Sequence, residues 1–463
     1  MNKLSYEIEK LHDYWVTIKD KVVYYYWQKL LDIVLEFWSP LKIYNLQVIS
    51  DRIKQAQDYF LQSIEELDYK WNYTYCYCTK SNHFSFVINE ILKNSLNNIN
   101  SNSVHLETSS DFDFDIINSL NLSKDIFIVH NWYKPEKYLK SIIDIQHKFH
   151  NSICVLDNRE ELDDLEELIN DKIKIWIRMS TYEPIAWMKE SRFWIQIHDI
   201  SSFYEDRISD NDKFELKMLH FFISKWISES ENYFESLKNY TEKYCELKKK
   251  CSSLDTLNIG WWFPIHFDIS KVYNYKNIIW KIVKTIMEVC DKHNVEHPNI
   301  FTEFWSYTVW ESAINIFKVL WEKNNISREN WYIVDSSFIA SIPDTWAINQ
   351  KFPVIPINNL DFPFKNVLLW WISCDKDDYL SDENDWKFRL PTFDKNNPLY
   401  LAVLHTWAYQ ENLSWYSIWW LSHCQLDWEK ILIMNTDWNI EVFFDAEDKN
   451  ERLKTLGYST KNS

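Results

Sequence analysis

From residue 73 to residue 303 short apolar runs alternate with longer amphipathic ones, and no other feature limits the fold of this chain as tightly. Strand-like 73–80 precedes helix-like 83–95. The pairs 104–107 with 111–120, 126–130 with 134–149, and 152–156 with 158–171 follow. Strand 173–178 leads to a loop and a helix near 201–208. Strand 217–222 precedes helix 227–250, strand 256–260 precedes helix 274–293, and strand 299–303 is the eighth. Eight such units in about 230 residues predict a (β/α)8 barrel, whose chemistry sits at the C-terminal ends of the strands. Lys80, Arg178, Gly260 and Glu303 all fall at such ends.

After about residue 325 the period shortens to that of strands: 332–338, 366–369, 400–405, 430–434 and 440–444. The expected fold is therefore α/β plus β, a barrel followed by a C-terminal all-β domain. The expected boundaries are 1–46 for an N-terminal helical segment and a strand that joins the β domain, 47–322 for the barrel, and 323–463 for the β domain. Residues 376–398 read as a polar loop and the charged tail after 446 as frayed.

The formal charge of −18 argues against a nucleic-acid or anionic-membrane partner. Eight cysteines without CxxC spacing suggest a reducing compartment. No apolar run reaches the length of a membrane span and no signal-peptide pattern opens the chain, so a cytoplasmic protein is expected.

The chain has 26 Trp and 2 Gly. Glycine supplies the positive-φ turns that any large fold needs. Trp stands where glycine is expected in Asn131-Trp132, Asp437-Trp438-Asn439 and Gly260-Trp261-Trp262. Most Trp letters therefore read as glycine codons translated with the wrong table, since UGA means Trp in some codes and Gly in others.

Tyr73–Asn82 alternates aromatic and sulfur side chains and ends near Lys80. A lysine at the mouth of an apolar strand is costly to desolvate, and the freed amine can form a Schiff base. Gly260-Trp261-Trp262-Phe263-Pro264, read as GGGFP, is a turn whose N–H groups could cradle a phosphate. Glu303 could hold a protonated ring nitrogen or act as a base. Cys374-Asp375-Lys376-Asp377 could pair a proton donor with cation-binding acids, or simply end a strand before an acidic loop.

Together these residues resemble the barrel-type (alanine racemase-like) pyridoxal-phosphate decarboxylases, and among them the biosynthetic arginine decarboxylases. The resemblance runs from about Phe37 to about Phe444 and is most specific at Ser341–Gln350 and Phe352–Val354, where the family pattern also carries the Trp found at 346. Val129–Tyr133 resembles VHNGY, Ser191–Trp194 resembles SRFG, Ile372–Asp375 resembles ITCD, and Trp407–Gln410 resembles GAYQ. At 38, 132, 194, 261, 262, 305 and 407 the family has Gly.

The resemblance implies pyridoxal 5′-phosphate bound covalently by Lys80, with Glu303 on its ring nitrogen. It implies Arg178 ordering the site, and Gly260, Trp261, Trp262 (as backbone) and Tyr409 on the phosphate. Cys374 would return a proton to the α-carbon, and Asp375 and Asp377 would bind the guanidinium. The resemblance also implies a homodimer or higher assembly, admits Mg2+, and points to arginine decarboxylation in polyamine biosynthesis. Three departures weaken the match, one being that the chain lacks the family's long helical insertion between the barrel and the Ser341–Gln350 stretch. The family's His after the sixth strand is Phe222 here, and its phosphate-binding Arg is Ser306. A decarboxylase of ornithine, lysine, diaminopimelate or a carboxylated polyamine, or a non-catalytic homologue, therefore stays open.

Overall fold

The computed structural model describes residues 15–96, 104–180, 195–221, 230–260, 263–265, 273–324, 329–380, 387–406, 408–410, 429–445, 450, 453–454 and 456–458. Trp194, Phe222, Trp261, Trp262 and Trp407 lie outside them. The chain forms two compact units, one of residues 50–264 and 274–308, the other of 1–49, 265–273 and 309–463.

The first unit is a closed parallel barrel. Its strands are Tyr73–Cys78, Val104–Thr108, Phe127–His130, Asn151–Leu156, Ile173–Ser180, Phe214–Phe221, Thr256–Asn258 and Asn299–Thr302. Each pairs in parallel with the next, and Ile300 opposite Tyr73 closes the ring. A two-residue strand, Ile195–Gln196, adds to the edge beside Met179 and Ser180. Inward-facing Cys76, Val129, Ile153, Val155, Met218, Phe301 and Trp176 fill the interior. The Trp176 ring meets Phe301 edge-on at 5.1 Å. Its buried indole N–H has no acceptor among the described residues, an uncompensated desolvation.

The outer helices follow ordinary helix chemistry. In Tyr275–His293 the Asn274 side chain accepts the Asn277 N–H at 3.0 Å, capping the first turn. Ile279, Ile282, Val283, Ile286 and Cys290 recur at helical spacing and are buried. Asn294, left-handed at φ 53°, ends the helix after Lys292 and His293, whose placement suits the negative end of the helix dipole.

The second unit is built on Ala313–Asn324, which pairs antiparallel with Leu41–Asn45, Asn330–Val334 and Tyr400–Leu404. Leu41–Asn45 pairs in parallel with Lys430–Met434, which turns back into Ile440–Phe444. The expectation of an N-terminal helical segment needs correction over residues 15–29; its first 14 residues lie outside the described ones. Val16–Lys19 and Val22–Tyr25 form a hairpin, Gln28–Lys29 adds a third strand, and among the described residues only Leu30–Phe37 is helical before Leu41. The reason lies in Asp20 and Lys21, both at positive φ, which make the two-residue turn that suits strand twist. The β-branched and aromatic alternation on either side then outweighs helix propensity.

Inside this unit Glu429 is buried, with Oε1 3.4 Å from the Ser336 hydroxyl and Oε2 accepting from Asn315. Burial raises its carboxyl from 4.5 to about 7, opposed by hydrogen bonds and by Lys42. The unfolded chain therefore releases this proton at lower pH than the folded one. Its contribution is intact below about pH 4.5 and is lost as pH rises toward 7, a change of about 3 kcal/mol. Urea unfolding at a series of pH values should show that Glu429→Gln flattens this decline. Unchanged slopes would remove Glu429 as its source.

Candidate active site

The first strand ends at Cys78, and a single 3-10 turn, Thr79–Ser81, carries Lys80. The Thr79 hydroxyl donates to the Glu107 carbonyl at 2.8 Å and the Ser81 hydroxyl to the Cys78 carbonyl at 2.9 Å. These bonds fix the turn, so the lysine stem leaves the barrel in one direction. Its side chain is 15 % exposed, and Nζ lies 2.6 Å from Oε2 of fully buried Glu107 on the second strand. Glu107 Oε1 accepts from the Ser109 hydroxyl at 2.9 Å. The sequence alone predicts an apolar surrounding that frees the amine. The structure instead gives it a carboxylate partner, which favours the ammonium and supplies an acceptor for its proton.

Glu303 follows the eighth strand. Its backbone N–H donates to the Gly260 carbonyl at 3.0 Å, joining the ends of strands seven and eight. Its carboxyl is fully buried. Oε1 accepts from Asn258 Nδ2 at 2.8 Å, and Asn131 Nδ2 lies 3.3 Å from each oxygen. Burial first, then the charge of Glu107, pushes this acid up; Lys80, Arg178 and the Asn258 bond pull it down, and the net direction is upward. His220 Nδ1 is 3.9 Å from Oε1. Burial, reinforced by Arg178 and Lys80, lowers the imidazole well below its ordinary value, so His220 is neutral.

Arg178, on the fifth strand, is fully buried 4.0 Å from Asp157, with its guanidinium 4.5 Å from the Trp132 ring centroid. Lys80 Nζ lies 5.4 Å from the same ring. Gly260 has φ +78°, and a Cβ there would stand 2.9 Å from the Phe221 carbonyl. Only glycine meets both conditions. Ser306, where the resemblance expects arginine, is buried, and neighbouring Tyr307 donates to Gln55 Oε1 at 2.6 Å.

The barrel unit thus brings Lys80, Arg178, Gly260 and Glu303 to one end. Cys374, Asp375, Asp377 and Tyr409 belong to the β unit. There Cys374 is exposed, and Asp375 accepts the Asp377 N–H at 2.9 Å. The buried acid of that loop is Asp378, which accepts from Ser337, Ser373 and the Phe338 N–H. Tyr409 sits at φ 67°. Among the described residues no group of three or more His, Cys, Asp or Glu side chains is arranged to hold a metal, so Mg2+ gains no ligand set.

Sequence reasoning gave no role to Glu107, Asn131, His220 or Asn258. Asn258 had a faint signal, two residues before Gly260 on an otherwise apolar strand. Together the barrel residues can hold an aldehyde-bearing aromatic group. Lys80, with Glu107 as proton acceptor, could take up the aldehyde of such a group, and the buried acid Glu303 could meet a ring nitrogen.

The family described as "Pyridoxal-dependent decarboxylase, pyridoxal binding domain" matches residues 50–309. The biosynthetic arginine decarboxylase of Bacteroides thetaiotaomicron is 22% identical over 91% of this chain and 84% of its own. That of Prochlorococcus marinus subsp. pastoris is 22% identical over 94% and 85%. In fold the chain is similar to the biosynthetic arginine decarboxylase of Campylobacter jejuni, with TM-score 0.82, 18% identity, and coverage of 99% and 93%. The diaminopimelate decarboxylase of M. jannaschi gives 0.79, 15%, 97% and 98%.

Removing the partner of Lys80 should change its titration. In Glu107→Gln, NMR of reductively 13C-methylated protein should show the Lys80 amine losing its proton roughly 1–3 pH units lower than in the unmodified chain. An unmoved titration would show that the ion pair does not control the amine.

Proposed function

We propose that this chain, which belongs to the pyridoxal-dependent decarboxylase family, removes the α-carboxyl of a basic amino acid. L-Arginine is the leading substrate, giving agmatine and carbon dioxide for polyamine biosynthesis. The observation that carries this reading is the meeting of Lys80, Glu107, Glu303 and Arg178 at one end of the barrel. The named relatives, aligned over most of their length, favour arginine. The donor set fits pyridoxal phosphate: an amine for its aldehyde, a buried acid for its ring nitrogen, and a glycine turn at Gly260 for its phosphate.

Bound pyridoxal phosphate supplies a ring that accepts the electrons left when carbon dioxide departs. The protein's own residues do the rest. Lys80 is the attachment point, and its proton can pass from Nζ to Glu107 Oε2 across 2.6 Å. Glu303, buried and held by two amides, keeps a carboxyl fixed where a ring N–H could donate to it. Arg178 places a fixed positive charge beside these acids. Tyr409 would add a hydroxyl to the phosphate. Ser306 offers a hydroxyl where the resemblance expects a charge, so phosphate binding would lean on the backbone N–H groups expected from the sequence at 260–262. Cys374 would deliver a proton to the α-carbon, while Asp375 and Asp377 would pair with a guanidinium. This reading carries a homodimeric, cytoplasmic enzyme. Among the described residues no helix is long and apolar enough to cross a membrane.

The test is a visible spectrum with added pyridoxal phosphate, on the chain as written and with Trp132, Trp261 and Trp262 changed to glycine. A visible absorbance band that vanishes in Lys80→Ala, with carbon dioxide released from arginine, supports the proposal. Release from ornithine, lysine or diaminopimelate instead would move the substrate assignment. No band in either form would sink it. Cys374→Ala should keep the band and lose turnover by roughly 10²–10⁴-fold.

A further inference from the structure

Asn258 occupies a place to which the sequence reading assigned no role. It is fully buried on the seventh strand. Its side-chain oxygen accepts the Gly260 N–H at 2.8 Å, and its Nδ2 donates to Glu303 Oε1 at 2.8 Å. The Gly260 bond fixes which way the amide faces, because only the oxygen can accept a backbone N–H. The NH2 must therefore meet Glu303. One side chain thus joins the start of the glycine turn to the buried carboxyl and occupies Oε1. Among the described residues Oε2 meets the longer Asn131 contact at 3.3 Å and the Cys78 thiol at 3.9 Å.

We propose that Asn258 is a positioning residue. It locks the Glu303 carboxyl with Oε2 as the oxygen available to a cofactor ring nitrogen, and ties that carboxyl to Gly260. This rests on the pyridoxal-phosphate reading above. Two variants separate its parts. Asn258→Asp keeps the acceptor for Gly260 but sets a second acid against Glu303. With both carboxyls ionised the new acid repels Glu303 and gives Oε1 no donor; one proton shared between them restores a donor to Oε1 and leaves Oε2 an acceptor, so the impairment eases once the pair has taken up that single proton. Asn258→Ala removes both bonds.

Affinity for pyridoxal phosphate, read by absorbance titration in whichever form of the chain binds it, should fall about tenfold in both variants at neutral pH. In Asn258→Asp the loss should shrink as pH falls; in Asn258→Ala it should not. Melting of the cofactor-free protein is measured beside it. A loss that tracks melting temperature alone, or an Asp variant with the unmodified affinity and pH profile, would overturn the assignment. An unmodified chain that binds no pyridoxal phosphate in either form would overturn the functional reading and this one with it.

A second inference rests on backbone geometry alone. Trp15, Trp38, Trp132 and Trp438 all have φ between 63° and 66°, a region where a bulky side chain is an outlier. Trp38 stands at a helix end and Trp438 in a chain reversal, places that ask for glycine. Trp38 follows helix Leu30–Phe37, donates its N–H to the Val34 carbonyl, and leaves its side chain 74 % exposed. Trp438 donates to the Asn435 carbonyl in the reversal between Lys430–Met434 and Ile440–Phe444, the left-handed position of such a hairpin. At 132 the indole covers Lys80 and Arg178.

We infer that these four positions are glycine in the protein its own cell makes, through UGA codons read as glycine. Peptide mass spectrometry of the native protein should find glycine at 15, 38, 132 and 438; tryptophan there would overturn the inference. Independently, a recombinant chain with the four glycine substitutions should melt higher than the chain as written. An equal or lower melting temperature would overturn the claim that the backbone there is built for glycine.

Discussion

The mouth of the barrel holds charges that water cannot reach, and its arrangement follows from how they are paired. Glu107, Glu303 and Arg178 are all fully buried, and an isolated buried charge is prohibitively costly. Glu107 pairs with Lys80, while burial first, and then the charge of Glu107, make Glu303 hold its proton more tightly than an ordinary carboxyl. Neutral His220 fits the same pattern, because Arg178 and Lys80 disfavour a third positive charge beside them. A closed parallel barrel makes this affordable: each functional side chain leaves a strand end whose backbone is already hydrogen-bonded on both sides.

Amide side chains carry much of the remaining organisation. Asn131 and Asn258 donate to Glu303, and Asn258 also accepts from Gly260. An amide adds direction without charge, which is useful where another charge would disturb the balance of protons. The β unit shows a parallel solution in Asp378, whose buried carboxylate is met by two hydroxyls and a backbone N–H.

Left-handed backbone is the second constraint. Gly260 meets it with the residue it requires, and Asn294 with one that tolerates it. The tryptophans at 15, 38, 132 and 438 meet it with a side chain that does neither. Such positions are written into the fold by turn geometry and helix termination, so they persist whatever letter stands there.

The barrel was legible in the sequence because its period is local. Each apolar run announced a strand, and Lys80, Arg178, Gly260 and Glu303 could be placed at strand ends by counting. The N-terminal hairpin was legible too, in the β-branched alternation around Asp20-Lys21, but was outweighed by aromatic content that suits helix and strand alike. What only the tertiary structure decided is who faces whom. Nothing in the spacing of Lys80 and Glu107 shows that they pair. Nor does it show that Asn258 turns its amide from Gly260 to Glu303, or that His220 sits neutral beside that acid. Strand periodicity fixes which residues reach a barrel end, whereas hydrogen-bond direction and charge pairing depend on distances set only when the ring closes.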